Sequence, residues 1–221
     1  MLKSRFLPLI ALAAAISFNN WILGIFLNNH LFLAGGSVSE FSASTQPYHW
    51  LFRLLDIVSG LLLAGLGILI YRLLAGRRYY SWLGFGLLIL GLSNCLDAVL
   101  PLPCSGTVDA HCNAPVRISL HRVSLPTHVF SSTIIGLCYV LIPLAVYLYA
   151  NRVGNQATKL LSWVVLVSTL LFFGLLALES FYESSVFSHL AGYAQELQMI
   201  LLGWLFVKIT SVARREPANS P

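Results

Sequence analysis

Apolar residues gather into six runs of about 20 residues, the length a helix needs to cross a bilayer. They fall at 6–26, 50–74, 80–100, 129–149, 160–178 and 190–209. Each is too long for a buried strand and is broken by few charges. The pattern predicts an all-α fold: a polytopic membrane protein whose six transmembrane helices form one domain over residues 1–212, followed by a tail at 213–221. Lys3 and Arg5 before Leu-Ala-Ala-Ala-Ile also look like a secretory leader. The apolar run continues through Trp21 to Phe26, so a retained first helix is expected.

Composition strengthens this reading. The 221 residues are 57% hydrophobic and 10% charged, with a mean hydropathy of +0.80, whereas a soluble domain carries about 25% charged residues. The net charge of +5 does not point to nucleic acid, because the basic residues sit in short clusters between apolar runs. Lys3, Arg5, Arg72, Arg77, Arg78, Arg152, Lys159, Lys208, Arg214 and Arg215 share one side of the expected membrane, against Arg53, Arg117 and Arg122 on the other. By the positive-inside rule both termini are expected in the cytoplasm. Every histidine, and every acid except Glu216, lies at or near the opposite, outer face.

The longest polar interruption runs from Asn94 to Ser132. Its loop holds Cys104 and Cys112 among Pro101, Pro103 and Gly106, which on an oxidising face suits a disulfide; a Cys and His metal site with His111 is the alternative. Cys95 and Cys138 lie inside apolar runs and read as packing residues. The first outer loop, residues 35–47, is small and polar and reads as a connector. No P-loop, dinucleotide-binding, His-Glu-x-x-His or nucleophile-elbow motif occurs.

Within the apolar runs the polar residues form stripes. His49, Arg53, Asp56 and Gly60 share a face of the second helix, where Arg53 and Asp56 can pair. Ser93, Asn94 and Asp97 share one on the third. The fourth carries His128 with Ser131 or Ser132, and His121 and Ser124 as well if it begins before Pro126. His189, Tyr193 and Glu196 line the sixth. An intramembrane carboxylate costs ~2.5–3.5 kcal/mol on insertion scales and needs partners, so these stripes are expected to converge on one outer-side cavity. Gly60, Ala64 and Gly67, with Gly84, Gly86 and Gly91, are expected close-packing positions of the second and third helices.

The segments Ser39-Glu40-Phe-Ser-Ala, Tyr48-His-Trp-Leu-Phe-Arg53-Leu-Leu-Asp56-Ile-Val-Ser-Gly60, Asp97 with the following cysteine loop, and His121 to His128 resemble domain of unknown function 998, a bacterial family of six-helix membrane proteins. The resemblance covers most of the chain and implies a fold in the bacterial cytoplasmic membrane without an activity. In residue types the chain is also similar to the alkaline ceramidase and adiponectin-receptor membrane hydrolases, which hold zinc with three histidines. That analogy makes His121, His128 and His189 candidate metal ligands, with Asp97 and Ser132 beside them. It departs from those proteins in having six helices and a lone histidine, His189, in the last.

Two functions therefore stand open. One is a zinc-assisted hydrolase of a lipid or lipid-linked substrate, with Asp56, Asp97, Glu196, Arg53 and Ser132 as catalytic candidates. The other is a small transporter or lipid-binding accessory protein, in which Arg53, Asp56 and Glu196 exchange protons or hold a head group. Membrane lipid is the expected partner in both.

Overall fold

The structure is a computed structural model that describes residues 6–73, 78–110, 112, 115–182 and 185–213. Among these, α1 (Leu7–Phe18), α2 (Gly24–Leu27) and α3 (Asn29–Leu33) precede five long helices. These are α4 (His49–Leu73), α5 (Arg78–Val99), α6 (Pro115–Arg152), α7 (Gln156–Tyr182) and α8 (Ser185–Ala213). The long helices each contain a segment of spanning length and hydropathy, and Leu7–Phe18 with Asn20–Leu27, bent by 45° between them, pass the same test as a pair, which makes five spans, or six with that pair counted as one broken span. The chain is thus an all-α polytopic membrane protein, as its hydrophobic pattern predicts.

Neighbours in sequence are neighbours in space. Helix α4 packs on α5, α5 on α6, α6 on α7 and α7 on α8, while α1 lies against both α4 and α8 and closes the ring. Short connections favour such antiparallel neighbours. Leu63, Leu66, Leu87, Leu90, Ile142 and Leu202 are fully buried inside. Leu61, Phe85, Leu141, Leu170 and Trp204 are each more than half exposed. A belt of that kind is tolerable only where the surrounding medium is hydrocarbon.

The apolar pattern of residues 6–26 gives no sign of the break inside the first span. Asn19 ends α1, and its side-chain amide donates to Ala15 O at 2.8 Å and across to Met199 O on α8 at 3.3 Å. An Asn side chain competing for backbone carbonyls in this way is a recognised cause of helix interruption. A 3-10 turn, Asn20–Leu23, follows and directs Asn20 toward α4.

Helices α4 and α5 meet backbone to backbone. A methyl group on Gly67 would lie 2.5 Å from Gly84 O and 2.6 Å from Leu88 N, and Gly60 and Gly91 face each other the same way. The small-residue seam expected from sequence is therefore present, except that Gly86 turns to Ile142 of α6. This close approach brings Asn94 within reach of the α4 backbone.

Helix α6 starts at Pro115, where a missing N–H costs nothing, and continues through Pro126. At ~1.5 Å per residue its 38 residues exceed the bilayer, and only His128–Arg152 has spanning character. Pro143 cannot donate to Tyr139 O four residues earlier. Thr169 Oγ1 of α7 approaches that carbonyl at 3.4 Å while donating to Val165 O of its own helix at 2.9 Å.

At one end of the bundle the first loop is not a bare connector. Its 3-10 turn, Val38–Ser42, carries the buried carboxylate of Glu40. Glu40 accepts hydrogen bonds from Ser105 Oγ, from Thr107 N at 3.3 Å and from Thr107 Oγ1 at 3.1 Å. Asp109 accepts from Thr45 Oγ1, and from Ser105 N at 2.8 Å. A disulfide joins Cys104 to Cys112 around this loop, while Cys95 and Cys138 remain free. The two polar loops thus form one stapled cap.

Candidate active site at the α5–α6 boundary

The seam between α4 and α5 sets the height at which α5 presents Asp97, one turn above Asn94. Asn94 Nδ2 donates to Asp56 O at 2.9 Å and to Ser59 Oγ at 3.3 Å, fixing the register of the two helices. Asp97 then faces α6 where that helix enters its spanning segment. His128 Nδ1 lies 2.8 Å from Asp97 Oδ1, both side chains being largely buried. Ser131 Oγ donates to the same carboxylate oxygen.

One turn deeper, Ser132 Oγ lies 3.4 Å from His128 Nε2. Residues four apart share a helix face, so α6 alone supplies the serine and histidine pair, and α5 supplies the acid. The order is Asp carboxylate, Nδ1, Nε2, hydroxyl. Nδ1 stands at ion-pair distance from Asp97 without hydrogen-bond alignment; in the tautomer protonated at Nδ1, Nε2 presents a lone pair to the Ser132 hydroxyl, the arrangement in which an imidazole acts as general base for a serine. Ser132 is exposed to a groove of about 500 Å³ lined by Val129, Gly136, Leu137, Val140 and Phe173 as well as His128.

The remaining candidates lie elsewhere or within looser reach. Asp56 accepts a 2.6 Å hydrogen bond from Asn20 at the break in the first span, and it and Asp97 are near enough to interact electrostatically, with Tyr139 close to both. Arg53 does not pair with Asp56. Its Nε donates to Ser42 O at 2.9 Å and its Nη2 to Ser44 Oγ at 2.7 Å, because a long side chain near a helix end reaches more readily for the polar cap than for a neighbour inside the bilayer. Glu196 is buried on α8, and no hydrogen bond or ion pair ties it to Asp56 or Asp97 among the described residues. His189 sits against Gly35, whose Cβ position would fall 2.9 Å from the imidazole Cγ. His121 belongs to α6, but its side chain lies outside the described residues, as does His111.

These positions bear on zinc. Among the described residues no three His, Cys, Asp or Glu side chains converge as a metal site requires. His128 already directs one ring nitrogen to Asp97 and the other to Ser132.

Asn20 escaped the sequence reading, while Asn94 and Ser131 stood on the expected stripes without the partners the structure gives them. Only their neighbours in space distinguish them from ordinary interhelical polar residues.

Residues 9–213 match the family described as protein of unknown function DUF998. The chain belongs to DUF998. None of the curated proteins and none of the solved structures matches it. What this DUF998 protein does must therefore be argued from its own side chains.

Proposed function

We propose that this DUF998 protein is a membrane-embedded acyl hydrolase or acyltransferase acting on a lipid ester, with Ser132 as nucleophile, His128 as general base and Asp97 as the group that orients it. The carrying observation is the continuous contact from Asp97 Oδ1 to His128 Nδ1 and from His128 Nε2 to Ser132 Oγ, at 2.8 and 3.4 Å. In the first half-reaction Ser132 Oγ would bond to the ester carbonyl carbon while its proton passes to Nε2. Collapse would break the bond to the leaving alkoxide, which takes that proton and departs as an alcohol. Water or a second alcohol would then attack the acyl-serine, its proton passing through Nε2 back to Ser132. The proton count closes without a metal or redox partner.

Location supports a lipid substrate. Ser132 stands about 6 Å along the helix from His128, where the spanning segment of α6 begins. That is the depth at which a bilayer lipid carries its esters. On the positive-inside argument the stapled cap faces away from the cytoplasm, because Arg72, Arg152 and Lys159 mark the other end. Reaction of the purified protein with a fluorophosphonate tests the assignment. A covalent adduct on Ser132, lost in Ser132→Ala and strongly slowed in His128→Ala, is expected; an unmodified Ser132 refutes it.

One observation favours the transport reading. Discontinuous helices beside an intramembrane carboxylate are a feature of carriers, and the first span breaks where Asn20 meets Asp56. On that reading Asp56→Asn abolishes uptake into vesicles while Ser132→Ala does not.

A further inference from the structure

The α6 groove continues in one direction from Ser132, past Gly136 to Val140, and Phe173 of α7 forms its far wall. Its entrance is polar, with His128, Ser132 and Thr133, and its length is apolar. Thr133 Oγ1 is turned back onto Val129 O at 2.7 Å, leaving Ser132 as the hydroxyl that faces His128. From Ser132 to Val140 the helix rises ~12 Å, and it does so toward the centre of the spanning segment. Gly136 sets the width: a Cβ there would lie 3.1 Å from Phe173 Cζ and 3.5 Å from Cε1. Any side chain at 136 must fill the groove or displace the ring.

We infer that this groove binds the acyl chain of the substrate, with the ester at Ser132 and the chain running inward past Gly136 and Phe173, so that these two residues set the acyl length the enzyme accepts. The inference rests on the assignment of Ser132 as nucleophile and adds the identity and direction of the group it receives. The polarity order fits an ester with a hydrocarbon tail. A lipid in the same leaflet already points its chains along this direction, so it could enter from the side without leaving the bilayer. A polar acyl group, or a head group entering tail-last, would desolvate against Leu137, Val140 and Phe173 with no partner.

The test compares methyl and decyl fluorophosphonates on the full-length protein in detergent micelles, reading the rate of adduct formation on Ser132 by mass spectrometry. Partition into micelles enriches the decyl probe equally for all variants, so the ratio of the two rates across variants decides. Gly136→Leu is expected to lower the decyl-to-methyl ratio at least ~10-fold, as loss of two or more methylene contacts would, while methyl labelling persists. Val140→Trp, which blocks the inner end without touching the narrow point, should lower the ratio as well and serves if Gly136→Leu does not fold. A ratio unchanged in a folded variant overturns the acyl groove and leaves Ser132 as nucleophile. Failure of both probes on the wild type overturns the nucleophile and the groove together.

Discussion

Glu40→Ala should loosen the stapled cap, and its cost can be worked from the contacts. The carboxylate accepts from Ser105 Oγ and from both Thr107 N and Thr107 Oγ1. Thr107 is exposed and can turn to water, so its two bonds are replaceable. Ser105 is fully buried; without Glu40 its hydroxyl proton has no acceptor, a loss of about 1–3 kcal/mol. Taking ~2 kcal/mol, and 2–4 °C per kcal/mol for a chain of this size, the melting temperature should fall by about 4–8 °C. The free thiols of Cys95 and Cys138 allow a thiol-reactive dye to follow unfolding in detergent. Glu40→Ala with Ser105→Ala should recover part of the loss, because no buried hydroxyl is then left without an acceptor, and only part, because Val108 N loses its 3.2 Å bond to Ser105 Oγ. A Glu40→Ala melt superimposable on wild type would refute the assignment of this carboxylate as the fastener of the cap.

Three further outcomes are expected. Gly67→Leu should prevent folding, seen as loss of the monodisperse peak in size exclusion, because its side chain meets backbone of α5; Gly65→Leu, with open space at its Cβ, should fold normally. Thr169→Val should lower stability by about 1 kcal/mol, because the buried hydroxyl that bonds Val165 O at 2.9 Å and approaches Tyr139 O at 3.4 Å is lost, and Thr169→Ser should restore it, both read by thermal melts. A cysteine placed at Ser220 should resist an impermeant thiol reagent in intact cells and react after permeabilisation; ready labelling in intact cells contradicts cytoplasmic termini.

The spans were legible because a helix in hydrocarbon must satisfy its own backbone and therefore needs a long apolar run. The seam of Gly60, Gly67, Gly84 and Gly91 was legible for a related reason, since small residues at helical spacing let backbones touch. Hydropathy averages hid the break at Asn19, where two adjacent polar residues vanish in a run of about 20. Spacing along one helix found His128 and Ser132, four apart on α6. It placed Asp97 on a stripe expected to meet theirs but could not single it out from Asp56 and Glu196 as the acid that touches His128, because the rotation of α5 against α6 depends on packing against α4. The same limit explains Arg53: helical spacing allowed a pair with Asp56, whereas the Ser42 carbonyl and Ser44 hydroxyl it meets come from a loop whose path no periodicity describes.

The most direct measurement is of the acyl-enzyme itself. Protein reconstituted in phospholipid vesicles is quenched in acid during incubation with a chromogenic long-chain ester, and the peptide containing Ser132 is weighed. The expected result is an acyl adduct on Ser132 in the wild type, absent in Ser132→Ala and greatly reduced in His128→Ala and Asp97→Asn, with ester turnover falling in parallel. Turnover that survives in Ser132→Ala, or a wild-type Ser132 that never carries an acyl group, would contradict it.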